Sequence, residues 1–203
     1  MLGACLIAST AHAQLPSPYA GARTLEVNQH VFGAYIPISA HAVGLLSQLR
    51  MSFYPGVDFG FQGGVSKLDR NTGNRTVVRL GTDVKVAVIK GTEQQPYDVS
   101  AGGALEVFTG DGYSLLSLGP NATISRTWKR GQPGEVSPYV GMGLAFSTLN
   151  TDAADETDFS VPLRIGSEYS ISSMARIVAE MEFRLGQRTG DDVSFTAGVN
   201  LPF

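Results

Sequence analysis

In the last eleven residues, VSFTAGVNLPF, an apolar side chain stands at every second position up to the terminal Phe203. Val193, Phe195, Ala197, Val199, Leu201 and Phe203 share one parity, while Ser194, Thr196, Gly198 and Asn200 share the other. A period of two is the repeat at which an extended strand turns successive side chains to opposite faces. The same alternation runs through almost the whole chain. A sequence written this way specifies strands with one greasy side and one polar side.

The segment before the last sets Ile177, Ala179, Met181, Phe183 and Leu185 against Arg176, Glu180, Glu182 and Arg184. Upstream, Phe159, Val161, Leu163, Ile165, Tyr169 and Ile171 alternate with Ser160, Arg164, Glu168 and Ser170. Val140, Met142, Leu144 and Phe146 alternate with Tyr139, Gly141, Gly143 and Ala145. Nearer the amino terminus, Val78, Leu80, Val84, Val86 and Val88 oppose Arg79, Asp83 and Lys85. Tyr97, Val99, Ala101, Leu105 and Val107 oppose Asp98, Ser100 and Glu106. Two more segments run from about Val43 to Phe53 and from Val57 to Val65, around Arg50, Asp58 and Gln62. The first, from Leu25 to Ile36, is less regular. In the stretch from Tyr113 to Trp128, Pro120 removes a ladder donor and predicts a bulge or an edge.

Turn residues separate these segments at Pro55-Gly56, at 71–74, at 110–112, at 132–134 and at 189–191. The count is about ten strands, or eight if the first hairpin is irregular. With 203 residues, 24 glycines and only 16% charged residues, the chain fits one all-β domain of short strands rather than a helical protein. A formal charge of -3 provides no electrostatic footprint for nucleic acid. No run reaches the ~18 apolar residues of a membrane-spanning helix, so any membrane span is made of strands.

Alternation alone also describes a soluble sandwich, whose apolar parity is a core. The distribution of charge favours a different solvent. Across the strands the polar parity carries Arg50, Arg79, Lys85, Arg164, Arg176 and Arg184 against Glu26, Asp58, Asp83, Glu106, Glu168, Glu180 and Glu182. The apolar parity carries Lys67 and Arg126, both near strand ends. A charge facing lipid costs roughly 2–4 kcal/mol at the midplane and little at the interface, so a bilayer would enforce this pattern. Arg126, beside Trp128, can snorkel to the headgroups.

The terminal strand also resembles a known class. β-Barrels of the Gram-negative outer membrane typically end in Phe with apolar residues at alternate positions before it. Phe203, Leu201, Val199, Ala197 and Phe195 match that assembly signal, with Leu201 where the family often has Tyr. Pro138-Tyr139-Val140-Gly141-Met142-Gly143 resembles a strand opening frequent in the smaller barrels. The resemblance, to the porin-like and OmpA-like barrels, implies a single closed antiparallel up-and-down transmembrane barrel. It also implies outer-membrane lipids, lipopolysaccharide and the insertion machinery as partners, with Phe203 on the periplasmic side. The connections at 71–74, 110–112, 151–158 and 187–191 then fall outside the cell. All are short, which disfavours an adhesin or receptor.

The opening MLGACLIASTAHAQ reads as an export signal. Ala11 and Ala13 have the spacing that signal peptidase accepts, which predicts a leader over 1–13 and a barrel over 14–203. The leader lacks basic residues before its apolar core, so a start codon upstream of Met1 is expected. Cys5, the only cysteine, leaves with it.

The candidate site is the polar parity itself: Arg50, Arg79, Asp83, Lys85, Glu106, Arg164, Glu168, Arg176, Glu180, Glu182 and Arg184, with Arg164 or Glu168 in register to pair with Arg176 or Glu180. Enclosed charges must be paired, so these form either a polar filling or the wall of a narrow, weakly selective pore. The other readings are a secreted soluble β-barrel or sandwich that binds a small ligand, and, third, a lipid-modifying enzyme of the outer membrane. His30, which shares a parity with Glu26 and Asn28, reads as a lumen or core hydrogen-bonding residue. His41 falls in a loop, and neither histidine sits in a nucleophile motif. Asp152, Asp155, Glu156 and Asp158 form an acidic loop without the ordered spacing of a calcium site. No enzyme activity, cofactor or metal is expected, and the oligomeric state is open.

Overall fold

A computed structural model describes residues 15–68, 75–110, 112–129, 134–151, 155–186 and 192–203. Every regular element among them is a strand: β1 (His30–Ser39), β2 (Ala42–Tyr54), β3 (Val57–Leu68), β4 (Arg75–Ile89), β5 (Tyr97–Gly110), β6 (Tyr113–Arg126), β7 (Trp128–Lys129), β8 (Glu135–Gly143), β9 (Ala145–Thr151), β10 (Asp155–Ser172), β11 (Ala175–Leu185) and β12 (Val193–Pro202). All pairings are antiparallel between chain neighbours, and β12 returns to pair with β1. The sheet therefore has no free edge. β8 and β9 both lie between β6 and β10 and form one stave, and the two-residue β7 carries the β6 register onward against β8. The result is a closed barrel of ten staves.

Closure at β1 is regular. Val31 to Ser39 pair residue by residue with Pro202 to Ser194, so the first hairpin is a full part of the wall. Its strand starts later than the sequence suggests, because residues 25–29 are not extended and turn at Asn28, φ +66°. A second correction concerns the acidic loop: Asp155, Glu156 and Asp158 belong to β10, paired with Asn150, Leu149 and Ser147 of β9. Asp152, and the turns at 71–74, 132–133 and 189–191, lie outside the described residues.

Pro120 produces neither a bulge nor an edge. The β6 register passes straight through it, from Leu118 opposite Phe146 to Asn121 opposite Gly143. Its carbonyl accepts from Leu144 N at 3.0 Å. The return bond is the one that proline has no N–H to make, so the partner stave is split at Leu144 into β8 and β9.

The two parities separate completely. Leu80, Val88 and Ile165 are 57%, 61% and 55% exposed on the outer surface, whereas Arg79 and Glu106 of adjoining strands are 2% and 0% exposed inside. The apolar parity is thus the exterior and not a core between sheets. Exposed Tyr54, Tyr97, Trp128 and Tyr169 all lie at one end, where both chain termini of the barrel also lie. There Arg126 sits 5.6 Å from the ring centroids of both Tyr97 and Trp128, a cation–π arrangement that holds its charge among amphipathic rings.

Candidate functional site

The inner face is where the chain's chemistry collects. Because β-strands alternate strictly, the residues between the outward Val, Leu, Ile and Phe have only the lumen to enter. Ten of the eleven charges singled out in the sequence are buried there, and Arg176 is half-buried at the mouth.

Some pair across adjoining strands, as Asp58 with Lys85 and Arg79 with Glu106, and others do not. Arg50 of β2 bonds Asp83 of β4 at 2.6 and 2.8 Å. Asp58 of β3 takes Lys85 at 3.3 Å and lies 4.0 Å from Arg50. Arg79 donates to Glu106, and Arg184 to Glu182 at 2.7 Å within one strand. Arg164 stands across the ladder from Glu182, but its Nε and Nη1 have no hydrogen-bond partner among the described residues. Glu168 and Glu180, expected to face arginines, are turned to a different partner.

That partner is the segment preceding β1. Residues 15–22 are almost wholly buried, and they run inside the barrel rather than along it. Ser17 Oγ donates to Glu180 Oε2 at 2.9 Å. Gln48 Nε2, at 3.2 Å, and Gln62 Nε2 both donate to the Ser17 carbonyl. Asn200 Nδ2 donates to the Tyr19 carbonyl at 3.0 Å. Gly21 N donates to Glu168 Oε2 at 3.1 Å, and Ala22 N to Ser125 Oγ at 2.9 Å. Lys85 Nζ donates to the carbonyls of Gly21, 3.1 Å, and Arg23, 2.8 Å. Leu25 N donates to Asp58 Oδ1 at 2.9 Å. A buried main chain must have its polar groups paired, and here the wall supplies the partners that a helix or sheet would.

Apolar contacts fix the register of the segment. Leu15 is buried with Ala104 and Ala145, and the Tyr19 ring lies 4.3 Å from the Tyr35 ring. Tyr35 in turn bonds Gln48 at 3.3 Å and also Asn200. Its ring fills the space over Gly33 and Gly198, where any Cβ would collide with it. Tyr139 lies likewise over Gly166 and donates to Glu180 Oε2 at 2.9 Å.

Above the segment, at the end carrying the β1–β2 and β3–β4 connections, the lumen is closed by apolar side chains. Leu68, Val77, Phe108, Leu115 and Leu149 form a buried cluster with Ala42 against it. Below it, at the end with the exposed tyrosines, a cavity of about 640 Å³ opens, lined by Arg23, Lys85, Lys90, Asp98, Glu168 and Arg176 among others. The inside is therefore layered: apolar cap, peptide among charges, polar vestibule.

No family model matches the chain, and no curated protein matches it. Among solved structures, the N-terminal β-barrel domain of Pseudomonas aeruginosa OprF is 10% identical with a TM-score of 0.37, covering 87% of this chain and 98% of that one. The NanC porin is 12% identical with a TM-score of 0.41, covering 85% and 98%. OmpT, an outer membrane protein of Vibrio cholerae, is 12% identical with a TM-score of 0.36, covering 88% of this chain and 62% of its own. The likeness is one of barrel to barrel. The fold itself rests on this chain's closed ladder.

His30, expected inside, stands on the outward parity with Phe32 and Ala34 and stacks on Phe203 with centroids 5.6 Å apart. His41 lies in the two-residue turn between β1 and β2. Among the described residues, no three His, Cys, Asp or Glu side chains are grouped to hold a metal. Sequence reasoning missed Tyr35, Gln48, Tyr139, Ser125 and Asn200 as site residues, although each sits on the inner parity. It also missed the luminal segment, whose Pro16 and Pro18 were a signal against a strand.

Proposed function

We propose that the protein is an outer-membrane β-barrel whose lumen is closed in the folded state by its own residues 15–25, and that its role is structural rather than that of an open pore. The observation that carries this reading is the pairing of the luminal segment's main chain with side chains from six strands. Bonds of this kind to charged groups contribute about 1.5–3 kcal/mol each when buried, so the segment is a built part of the interior. The apolar belt supports a membrane: a water-soluble protein rarely shows an apolar patch beyond a few hundred Å², and here the outer parity is apolar apart from Lys67, Arg126 and a few polar residues such as Ser47 and Thr82. The four exposed Tyr and Trp at one end fit a bilayer interface. With Phe203 at that end, the resemblance of the last strand makes it the periplasmic one, and makes Phe195, Ala197, Val199, Leu201 and Phe203 the signal for the insertion machinery.

A soluble ligand-binding barrel would need the apolar parity inside, which is the reverse of its position. The folded full chain, reconstituted in a planar bilayer, tests the closed lumen. Baseline without steady conductance is expected, and a sustained ohmic current from the unmodified chain overturns the reading. Heat-dependent migration on an SDS gel tests the membrane fold separately.

A further inference from the structure

Among the described residues, eight hydrogen bonds from the wall reach the main chain of residues 17–25 and two involve the segment's side chains, Ser17 to Glu180 and Arg23 to Glu135 at 3.5 Å. Main-chain N–H and C=O groups belong to any peptide. A wall that addresses them is organised to hold a peptide by its backbone, with selectivity left to shape.

Three positions provide that shape. Leu15 enters an apolar niche with Ala104 and Ala145. Tyr19 adopts a left-handed backbone, φ +43°, with its ring on Tyr35 and its carbonyl on Asn200. For a residue with a Cβ this conformation is disfavoured, so the lumen bends the segment to itself. Gly21 lies where a Cβ would crowd Ser125 Cβ and Oγ at 3.1 Å, so the passage is tight against any larger side chain there. The segment also has a natural release point: residues 26–29 are exposed and face the 640 Å³ vestibule.

We propose that the lumen is a peptide-binding site for a Leu-x3-Tyr-x-Gly segment bent at its Tyr, which the folded chain occupies in cis with residues 15–25 and which accepts the same kind of peptide in trans once the tether is cut. The proposal rests on the closed-barrel reading above. It adds that the filling is a ligand, separable from the wall that holds it.

The test uses the full chain carrying a protease site in the exposed turn at 26–28, folded in detergent micelles and cut afterwards. The probe is a fluorescent peptide of sequence LPSPYAGARTL, followed by anisotropy. Saturable uptake by the cut barrel is expected, with none by the uncut barrel, because a tethered segment competes at an effective millimolar concentration. Peptides with the Tyr19→Ala or Gly21→Leu change are expected to bind at least about tenfold more weakly, the loss of one stacked ring or one forced clash.

A cut barrel that keeps its heat-dependent migration but takes up no peptide overturns the proposal. So does uptake that ignores the Gly21→Leu change, or equal uptake by the uncut barrel. If the cut-site variant does not fold, the unmodified chain is compared with G21L for protease sensitivity of residues 15–25. Equal protection in both then overturns it. A barrel that stays monomeric without detergent sinks the membrane reading instead, and peptide uptake remains measurable on it.

Discussion

Arg50 Nη2 and Asp83 Oδ2 meet at 2.6 Å although β2 and β4 are not neighbours. Between them in the ladder, opposite both, lies Gly60 of β3. A Cβ at Gly60 would stand 2.7 Å from Arg50 Nη2 and closer still to Asp83 Oδ1. Glycine is required there for close approach, since the ion pair passes over its bare backbone. Gly60→Ala is therefore expected to destabilise the barrel by about 1–3 kcal/mol. Asp83→Ala, which strands a buried guanidinium, is expected to cost about 3–5 kcal/mol. Gly63→Ala is the control: there an added Cβ finds only Leu80 Cδ2 at 3.7 Å, and stability should hold. Equilibrium unfolding in urea with lipid vesicles measures all three.

The exterior makes its own prediction. Leu80→Arg and Ile165→Arg, which put charges in the apolar belt, are expected to cost about 2–4 kcal/mol of folding free energy in bilayers. Lys67 already sits on that parity near the end of β3, exposed and tolerated. Replacing its neighbour in the pattern, Val65→Arg, should cost less than Leu80→Arg because it lies nearer the strand end. Equal costs at all three positions would mean that no depth gradient exists.

Within the lumen, Asn200 holds the Tyr19 carbonyl with Nδ2 and also bonds Glu168 and Tyr35. Asn200→Ala removes the luminal anchor at its left-handed residue. Opening of residues 15–25 should become about five- to tenfold more frequent, one lost buried hydrogen bond being about 1–1.5 kcal/mol. Hydrogen exchange at the Gly21 and Ala22 amides reads this directly. Transient current steps in a planar bilayer should accompany it, and unchanged exchange at those two amides would show that the bond holds nothing.

Phe203 is 72% exposed, and its backbone exchanges bonds with His30 at 3.0 and 3.3 Å. Truncating its ring removes one stack on His30 and little buried area, so Phe203→Ala should change stability in micelles by less than about 1 kcal/mol. In cells the proposed recognition of the ring by the insertion machinery predicts a larger effect, a severalfold fall in folded barrel. Immunoblots of unheated samples compare folded with unfolded protein. A stability loss in micelles matching the loss in cells would reduce the ring to a structural role.

Strand number, antiparallel order and the side taken by most strand residues are legible in the sequence, although His30, expected inside, stands outside. A period of two with charges on one parity leaves a chain few ways to arrange itself, and Arg79, Glu106, Leu80 and Ile165 stand on the faces the pattern assigns. Local rules misled only where a non-local partner intervened. Alternation continues weakly through residues 25–29, but Leu25 bonds Asp58 of the lumen wall and 26–29 close a turn, Gln29 N donating to the Glu26 carbonyl, before Asn28 and Gln29 meet Ser52 of β2. Pro120 predicts a bulge or an edge by local rules, yet two flanking staves hold the register through it.

What only the tertiary structure decided is how the enclosed charges are satisfied. Strand neighbours can be counted from sequence, but whether a side chain bonds its neighbour, reaches across a glycine as Arg50 does to Asp83, or turns inward to a threaded peptide as Glu168 and Glu180 do depends on distances across the closed lumen. Those distances are set by closure, when β12 meets β1. Alternation is a property of each strand alone, whereas the partners of buried charges belong to all ten staves at once.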